Sequence, residues 1–314
     1  MSKYCFGVDL GGTTVKIGLF DPEGTVIEKW EIPTIKTDSG SRILPDIARS
    51  VLSKMEESNI AKESVIGVGI GVPGPVDENG VVHRAVNLGW DIMNVNEVLG
   101  GLLKMPVKAG NDANVAALGE MWRGGGKGCK NMVLATLGTG VGGGIIVDGK
   151  IVTGATGAGG EIGHIHIVDD EPDACGCGNH GCLEQYASAT GVVRLANRKL
   201  NACSDNSVLR DAKEKGKLGG KQIFDAAKAG DKVACAIVDE FCMYLGKGLA
   251  MIAGVVNPEA FVLGGGVSKA GEILREGVQK QYQKYVFHGS SDAQFKLAEL
   301  GNDAGIYGAA KLVL

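Results

Sequence analysis

No lysine or arginine run occurs in this chain, and its net charge is −4. A basic surface for nucleic acid is thereby disfavoured. No stretch of about 18 consecutive apolar residues occurs either, so no membrane-spanning helix is expected. The opening MSKYCFGVDLGG has no charged leader ahead of an apolar core, so no secretory signal is expected. A cytoplasmic protein is expected, and its eight cysteines are then thiols or metal ligands rather than disulfides. Histidine is scarce, at five in 314 residues. That makes GEIGHIHIVDDEPDACGCGNHGCLEQY, from Gly160 to Tyr186, stand out: it gathers three histidines and three cysteines. Cys5, Cys129, Cys203, Cys235 and Cys242 are scattered and read mostly as small buried apolar residues.

Glycine is abundant, at 51 residues. It clusters at the ends of apolar runs, where a backbone turns tightly or approaches a ligand. Hydrophobic residues make up 44% and charged ones 22%, an ordinary globular profile. The length suits two domains or one large one, with an ample core.

The segment YCFGVDLGGTTVKIGLFDPEGTVIEKW alternates three β-rich runs with a Gly/Thr turn and an Asp-Pro-Glu-Gly turn. The same grammar returns near residue 131 in NMVLATLGTGVGGGIIVDGKIVTG. Two copies about 125 residues apart predict two related α/β domains. Between and after them the chain alternates strand and helix. Arg42–Glu57 has Ile43, Ile47, Val51 and Met55 on one helical stripe. VIGVGIGVPGPVD is a buried strand ending in a Gly-Pro turn. Asn111–Asp112 opens the helix ANVAALGEMW, and Leu183–Leu200 reads as one helix. A long helix carrying Ile237, Phe241, Leu245, Leu249 and Ile252 stops at Asn257-Pro258. FVLGGGVS is a strand running into a glycine turn, DAGIYGAAKLVL is a short helix, and Lys213–Gly220 reads as a surface loop.

The two matched tips, LGGTTVK (Leu10–Lys16) and LGTGVGGG (Leu137–Gly144), offer backbone N–H groups and hydroxyls, the makings of anion-binding nests. Gly11, Gly12, Thr13 and Thr14, with Gly138, Thr139 and Gly140, are the candidate phosphate residues. Neither tip reads GxxxxGK[ST] or opens a helix, which excludes Walker and Rossmann sites. Lys16 either reaches phosphate or is an exposed strand lysine. The third turn, LGGGVS with Gly265 and Gly266, suits the flat face of a nucleotide base or close packing of strand on helix. Asp9 ends the first strand at its tip. A carboxylate facing phosphates needs a cation between, which points to Mg²⁺, unless it merely closes a turn. Asn111 or Asp112 caps a helix. The cysteine block reads as a catalytic metal site, a structural metal site or a redox centre; its C-x-C spacing is not the C-x-x-C of thioredoxin-like sites.

DLGGTTVKIG, GVPGPVD, NDANVAALGE, LGTGVGGG, GEIGH, CGCGNHGCLEQYAS and VLGGGVS occur in this order. Together they resemble the ROK family (repressor, open reading frame, kinase) over nearly the whole chain. Within it the sequence is most similar to bacterial ATP-dependent glucokinases of the low-GC Gram-positive type. The resemblance implies an α/β, actin-like ATPase (ribonuclease H-like) fold of two α/β domains with a central cleft. The expected division is 1–112 plus 301–314 as the smaller domain and 113–300 as the larger, which carries a zinc knuckle and a dimer surface. It implies ATP, Mg²⁺ and structural Zn²⁺ as cofactors, glucose as the small-molecule partner, and a homodimer or homotetramer.

The resemblance also implies the roles. Asp112 would be the base that takes the proton of the sugar 6-hydroxyl. Asn111, Glu161, His164 and Glu184 would hold the other hydroxyls, with Gly71 and Asn87 lining the pocket. Paired carboxylates and an amide can fix one stereoisomer. Cys175, Cys177 and Cys182 plus one histidine form a Cys₃His set, a closed and therefore structural zinc site; the family pattern favours His164 over His166 and His180. His164 would meet zinc with one ring nitrogen and the sugar with the other. Relatives usually read Glu-Asn-Asp-Ala, and here Gly110 replaces the glutamate. The rival readings are a kinase for N-acetylmannosamine or another hexose, and a sugar-responsive regulator without catalysis. A regulator would need a DNA-binding module before the first strand, where only Met1–Tyr4 stand.

Overall fold

A computed structural model describes residues 3–83 and 85–314. Grouped by contact, 1–128, 144–160 and 299–314 form one compact unit, and 129–143 and 161–298 form a second.

The first unit is built on β1 (Tyr4–Leu10), β2 (Thr14–Phe20), β3 (Val26–Pro33), β4 (Val65–Val72) and β5 (Val107–Asn111), in the order β3-β2-β1-β4-β5. β1 and β2 form an antiparallel hairpin, while β4 runs parallel to both β1 and β5. β1 and β4 are nearly continuous apolar and glycine runs, as strands covered on both faces must be. On one face Ile43, Ile47, Val51 and Met55 of α1 (Ile43–Glu57) and Leu99 and Leu103 of α2 (Val95–Leu103) join Phe6, Val8 and Ile70 in a single core. On the other face the C-terminal helix (Ala304–Leu312) packs along α3 (Asp112–Arg123) and against β1 and β4. That approach depends on missing side chains: a Cβ on Gly69 would overlap the Ala309 carbonyl, and one on Gly308 the Val115 carbonyl.

The second sheet contains β6 (Met132–Leu137), β7 (Val141–Val147), β8 (Lys150–Ile151), β9 (Ala260–Gly264) and β10 (Gln294–Leu297), in the order β8-β7-β6-β9-β10. β9 lies parallel to β6 and to β10. Chain order and spatial order match those of the first sheet, so the sequence repeat is a repeat of fold. In the second unit the helix Lys232–Val256 buries Ile237, Phe241, Leu245, Leu249 and Ile252 and ends where Asn257 turns left-handed (φ 43°) before Pro258.

Two expectations need correction. Leu183–Leu200 is not one helix: a one-turn helix (Glu184–Ala187) is separated by an extended Ser188 from the helix Ala189–Ala202. The Ser188 hydroxyl donates to the Glu184 carbonyl (2.6 Å) and accepts from Gly191 N (2.9 Å), so it ends one helix and caps the next. Lys213 and Glu214 belong to the helix Val208–Glu214, which shortens the expected loop to 215–219. Among the described residues no helix is long and apolar enough to cross a membrane.

Candidate active site

In the first unit, parallel pairing sets Asp9 opposite Gly71, and Gly71 opposite Gly110, so the C-terminal ends of β1, β4 and β5 lie side by side. Ligands of open α/β sheets gather at such ends. β5 runs directly into α3, and the junction is Asn111–Asp112. Asn111 caps α3, accepting from Asn114 N (3.1 Å), while its amide nitrogen donates to the Gly74 carbonyl (3.1 Å). The VPG turn thereby fixes the asparagine's orientation. Asp112 accepts from Ala113 N (2.8 Å) through Oδ1 at the positive end of α3. Gly71 backs onto the Asp112 Cα; a Cβ there would lie 3.7 Å away. Burial, with the charge of Asp112 beside it, pushes the Asp9 carboxyl up to about 6 against the opposing pull of Lys16. A divalent cation beside Asp9 would relieve the repulsion from Asp112.

The first tip is tied back by Gly11 N to Thr14 O (3.1 Å) and by the Thr34 hydroxyl to Gly11 O (2.7 Å), and the space beside Gly12 is open. No local pattern marks Thr34 as part of this tip. Lys16 pairs with Asp9 in the hairpin, but its ammonium donates to the Asn302 carbonyl (3.0 Å). Asn87 is exposed on the turn Val86–Leu88. At Gly110 a Cβ would press on Val115 Cγ2 at 2.9 Å, so this chain has little room there for the glutamate its resemblance suggests.

In the second unit the tip Gly138–Gly140 closes with Gly138 N to Gly140 O (3.0 Å) and leaves Thr139 exposed. Glu184 Oε2 lies under this tip, 3.4 Å from Val141 N, and a Cβ on Gly140 would overlap it. Thr139, Gly140, Cys175, Glu184 and Thr190 line a cavity of about 410 Å³. A second cavity of about 260 Å³ is lined by Gly266 and Val267 with Ala189, Gly220, Phe224 and Ala270. Gly265 holds the third turn at φ 81°, close against the Leu137 backbone. Strand packing at Gly265 and an open apolar slot at Gly266 therefore coexist in one turn. Phe224 lies in a helix far along the chain, and no local pattern marks it as part of that slot.

One ring nitrogen of His164 and the sulfurs of Cys175, Cys177 and Cys182 all lie within 4.8 Å of one another. Two edges of the set, Cys177–Cys182 at 3.6 Å and His164–Cys175 at 3.8 Å, match the roughly 3.8 Å edge of a tetrahedron with Zn–S bonds of about 2.3 Å. The other two histidines are engaged elsewhere. His166 meets the His180 carbonyl (2.9 Å) and Asp169 (3.0 Å), and His180 meets the Glu171 carbonyl (3.0 Å). Burial pushes the Cys175 thiol up to about 12, while backbone N–H donation at Asn179 lowers that of the exposed Cys177. Glu184 Oε1 accepts from Cys175 (3.0 Å), and Glu161 is exposed at the start of the turn Ile162–His164.

Two sheets of one topology, each with a Gly/Thr hairpin tip, define an actin-like ATPase fold. Over residues 5–314 the chain matches the ROK family model. It is 43% identical over 313 residues to the glucokinase of Halalkalibacterium halodurans, covering 99% of this chain and 95% of that one. It is 38% identical to the glucokinase of Streptomyces coelicolor, with 98% and 96% covered. A crystal structure of a ROK family glucokinase from Streptomyces griseus in complex with glucose and AMPPNP superposes with a TM-score of 0.75 at 36% identity, covering 98% of each chain. The chain belongs to the ROK family.

Proposed function

We propose that this protein transfers the γ-phosphoryl group of ATP to the 6-hydroxyl of glucose. The observation that carries this reading is Asp112, held at the start of α3 beside Asp9 at the strand ends, in a chain similar over its whole length to glucokinases. Asp112 takes the hydroxyl proton as the oxygen attacks phosphorus, which is worth roughly 10²–10⁴-fold. Most of the remaining acceleration comes from positioning and charge stabilisation. Asn111 of the first unit, where Gly71 and Asn87 line the pocket, and Glu161, His164 and Glu184 of the second would hold the remaining hydroxyls. The two tips, Gly11–Thr14 and Gly138–Gly140, receive the phosphates through their N–H groups. The apolar slot at Gly266 and Phe224 suits the adenine ring. Asp9 would hold Mg²⁺, which neutralises phosphate charge when bound.

His164, Cys175, Cys177 and Cys182 would hold zinc. Four protein ligands leave no position for a water, so the ion supplies order and no chemistry. Purified protein is expected to carry about one zinc per chain, and Cys177→Ser to lose it. Elemental analysis of both checks this, and wild-type protein free of zinc would refute it.

ADP release with Mg-ATP against glucose, mannose, fructose, N-acetylglucosamine and N-acetylmannosamine tests the function. Strong preference for glucose is expected. Preference for an N-acetylated sugar would move the specificity while keeping the base, and no turnover with any would overturn the enzyme reading.

A further inference from the structure

Glu171 is a buried carboxylate that phosphoryl transfer does not use. Its side chain is wholly inaccessible to solvent. An ionised carboxylate in such a place must be fully paired to be tolerated. Glu171 accepts from the Tyr186 hydroxyl, the Arg194 guanidinium, Arg198 (3.1 Å to both oxygens) and Asp173 N (2.9 Å). Burial alone would raise its pKa; these donors outweigh that and hold it at about 2. At neutral pH the group is therefore a fixed negative charge around which its donors are organised.

Tyr186 belongs to the one-turn helix Glu184–Ala187, two residues after Glu184. A single helical turn cannot sustain itself, and this one has no side-chain N-cap. Tertiary contacts must therefore set its rotation. Residues two apart on a helix point roughly 200° away from each other, so Tyr186 faces the interior while Glu184 faces Gly140 and Cys175. The Tyr186 ring packs on Tyr244 (centroids 4.4 Å apart) and its hydroxyl ends on Glu171. Gln185 adds a second tie, donating to the Asp173 carbonyl (2.9 Å) and accepting from Cys182 N (3.0 Å).

We propose that Glu171 is a positioning residue for the acceptor sugar: by clamping Tyr186, Arg194 and Arg198 it sets the rotation of the single turn that presents Glu184. The inference rests on Glu184 being a sugar ligand. Glu171 itself is sealed from solvent and acts through Tyr186, while its partner Arg194 lines the same cavity as Glu184. The clamp is built from side chains, so the turn that presents Glu184 has a support besides the metal cluster.

Tyr186→Phe removes the hydroxyl and keeps the ring on Tyr244. Glu171→Gln keeps the shape and removes the charge. The expected result in steady-state kinetics is a glucose KM raised about tenfold in Tyr186→Phe and further in Glu171→Gln, with kcat and the ATP KM within about twofold of wild type. A purely structural role would lower the active fraction or shift both substrates, and would not move the glucose KM alone. If Glu171→Gln does not fold, Tyr186→Phe decides. Unchanged glucose KM values, or equal rises for glucose and ATP, against an active wild type would overturn the positioning role alone. Absence of hexose turnover in the wild type would instead overturn the reading of the site, and this inference with it.

Discussion

Asp112→Asn is expected to reduce turnover by roughly 10²–10⁴-fold, the usual worth of a general base, while glucose still binds. The substitution suits the question because it spares the local structure. Asn111, not Asp112, caps α3 through its bond to Asn114 N. An amide oxygen at position 112 can still accept from Ala113 N, as the carboxylate does. What disappears is the proton acceptor, together with a charge at a helix N-terminus worth about 0.3–1 kcal/mol. Turnover from ADP release and glucose affinity from calorimetry separate the two effects. A variant whose turnover stays within a few-fold of wild type would remove Asp112 from the role of base. The charge of Asp112 is also one cause of the raised Asp9 pKa. The same variant should therefore bring the Asp9 carboxyl back toward its ordinary range, visible by NMR titration.

Much of this was legible because it is local. Strand, Gly/Thr tip and strand follow one another directly in the chain, so the repeat could be read, and both sheets have the strand order a repeat demands. Asn111–Asp112 was legible as a helix start because capping is a matter of three residues. The cysteine block was legible because metal ligands in knuckles are sequence neighbours. What was hidden depends on partners far along the chain. The choice among His164, His166 and His180 turns on where each ring points, and the spacing left it open. Lys16 read either as a phosphate lysine or as an exposed strand lysine, and its bond to the Asn302 carbonyl joins residues too far apart in the chain to be foreseen. The break at Ser188 was missed because an apolar periodicity continues through it, while one hydroxyl bonded on both sides outweighs that pattern. No local pattern marks Glu171; only the fold surrounds it with Tyr186, Arg194 and Arg198.

Asp9→Asn is expected to make the metal-free protein more stable and the enzyme at least 100-fold slower, the scale on which charge-stabilising groups act. The native Asp9 carboxyl titrates near 6, against an ordinary 3.8. A carboxyl whose pKa is raised by folding favours the native state when protonated. Between pH 3.8 and 6 the native protein thus binds more protons than the unfolded chain, and stability falls as pH rises through that window. Above about pH 6 the penalty is complete, on the order of 2–3 kcal/mol. Asparagine removes the charge and nearly keeps the shape, which matters because the C-terminal helix approaches closely at Gly305. The variant should melt several degrees higher than wild type at pH 7 in chelator and show little advantage at pH 4. Adding Mg²⁺ should raise the wild-type melting temperature at pH 7 and leave the variant unmoved, because the cation relieves the repulsion that the substitution has already removed. A variant that is no more stable at pH 7, or one that still turns over Mg-ATP at the wild-type rate, would show that Asp9 closes a turn and holds no metal. Stability given up at one carboxylate and recovered only with the cation bound is the expected signature of a site shaped for Mg-ATP rather than for the empty protein.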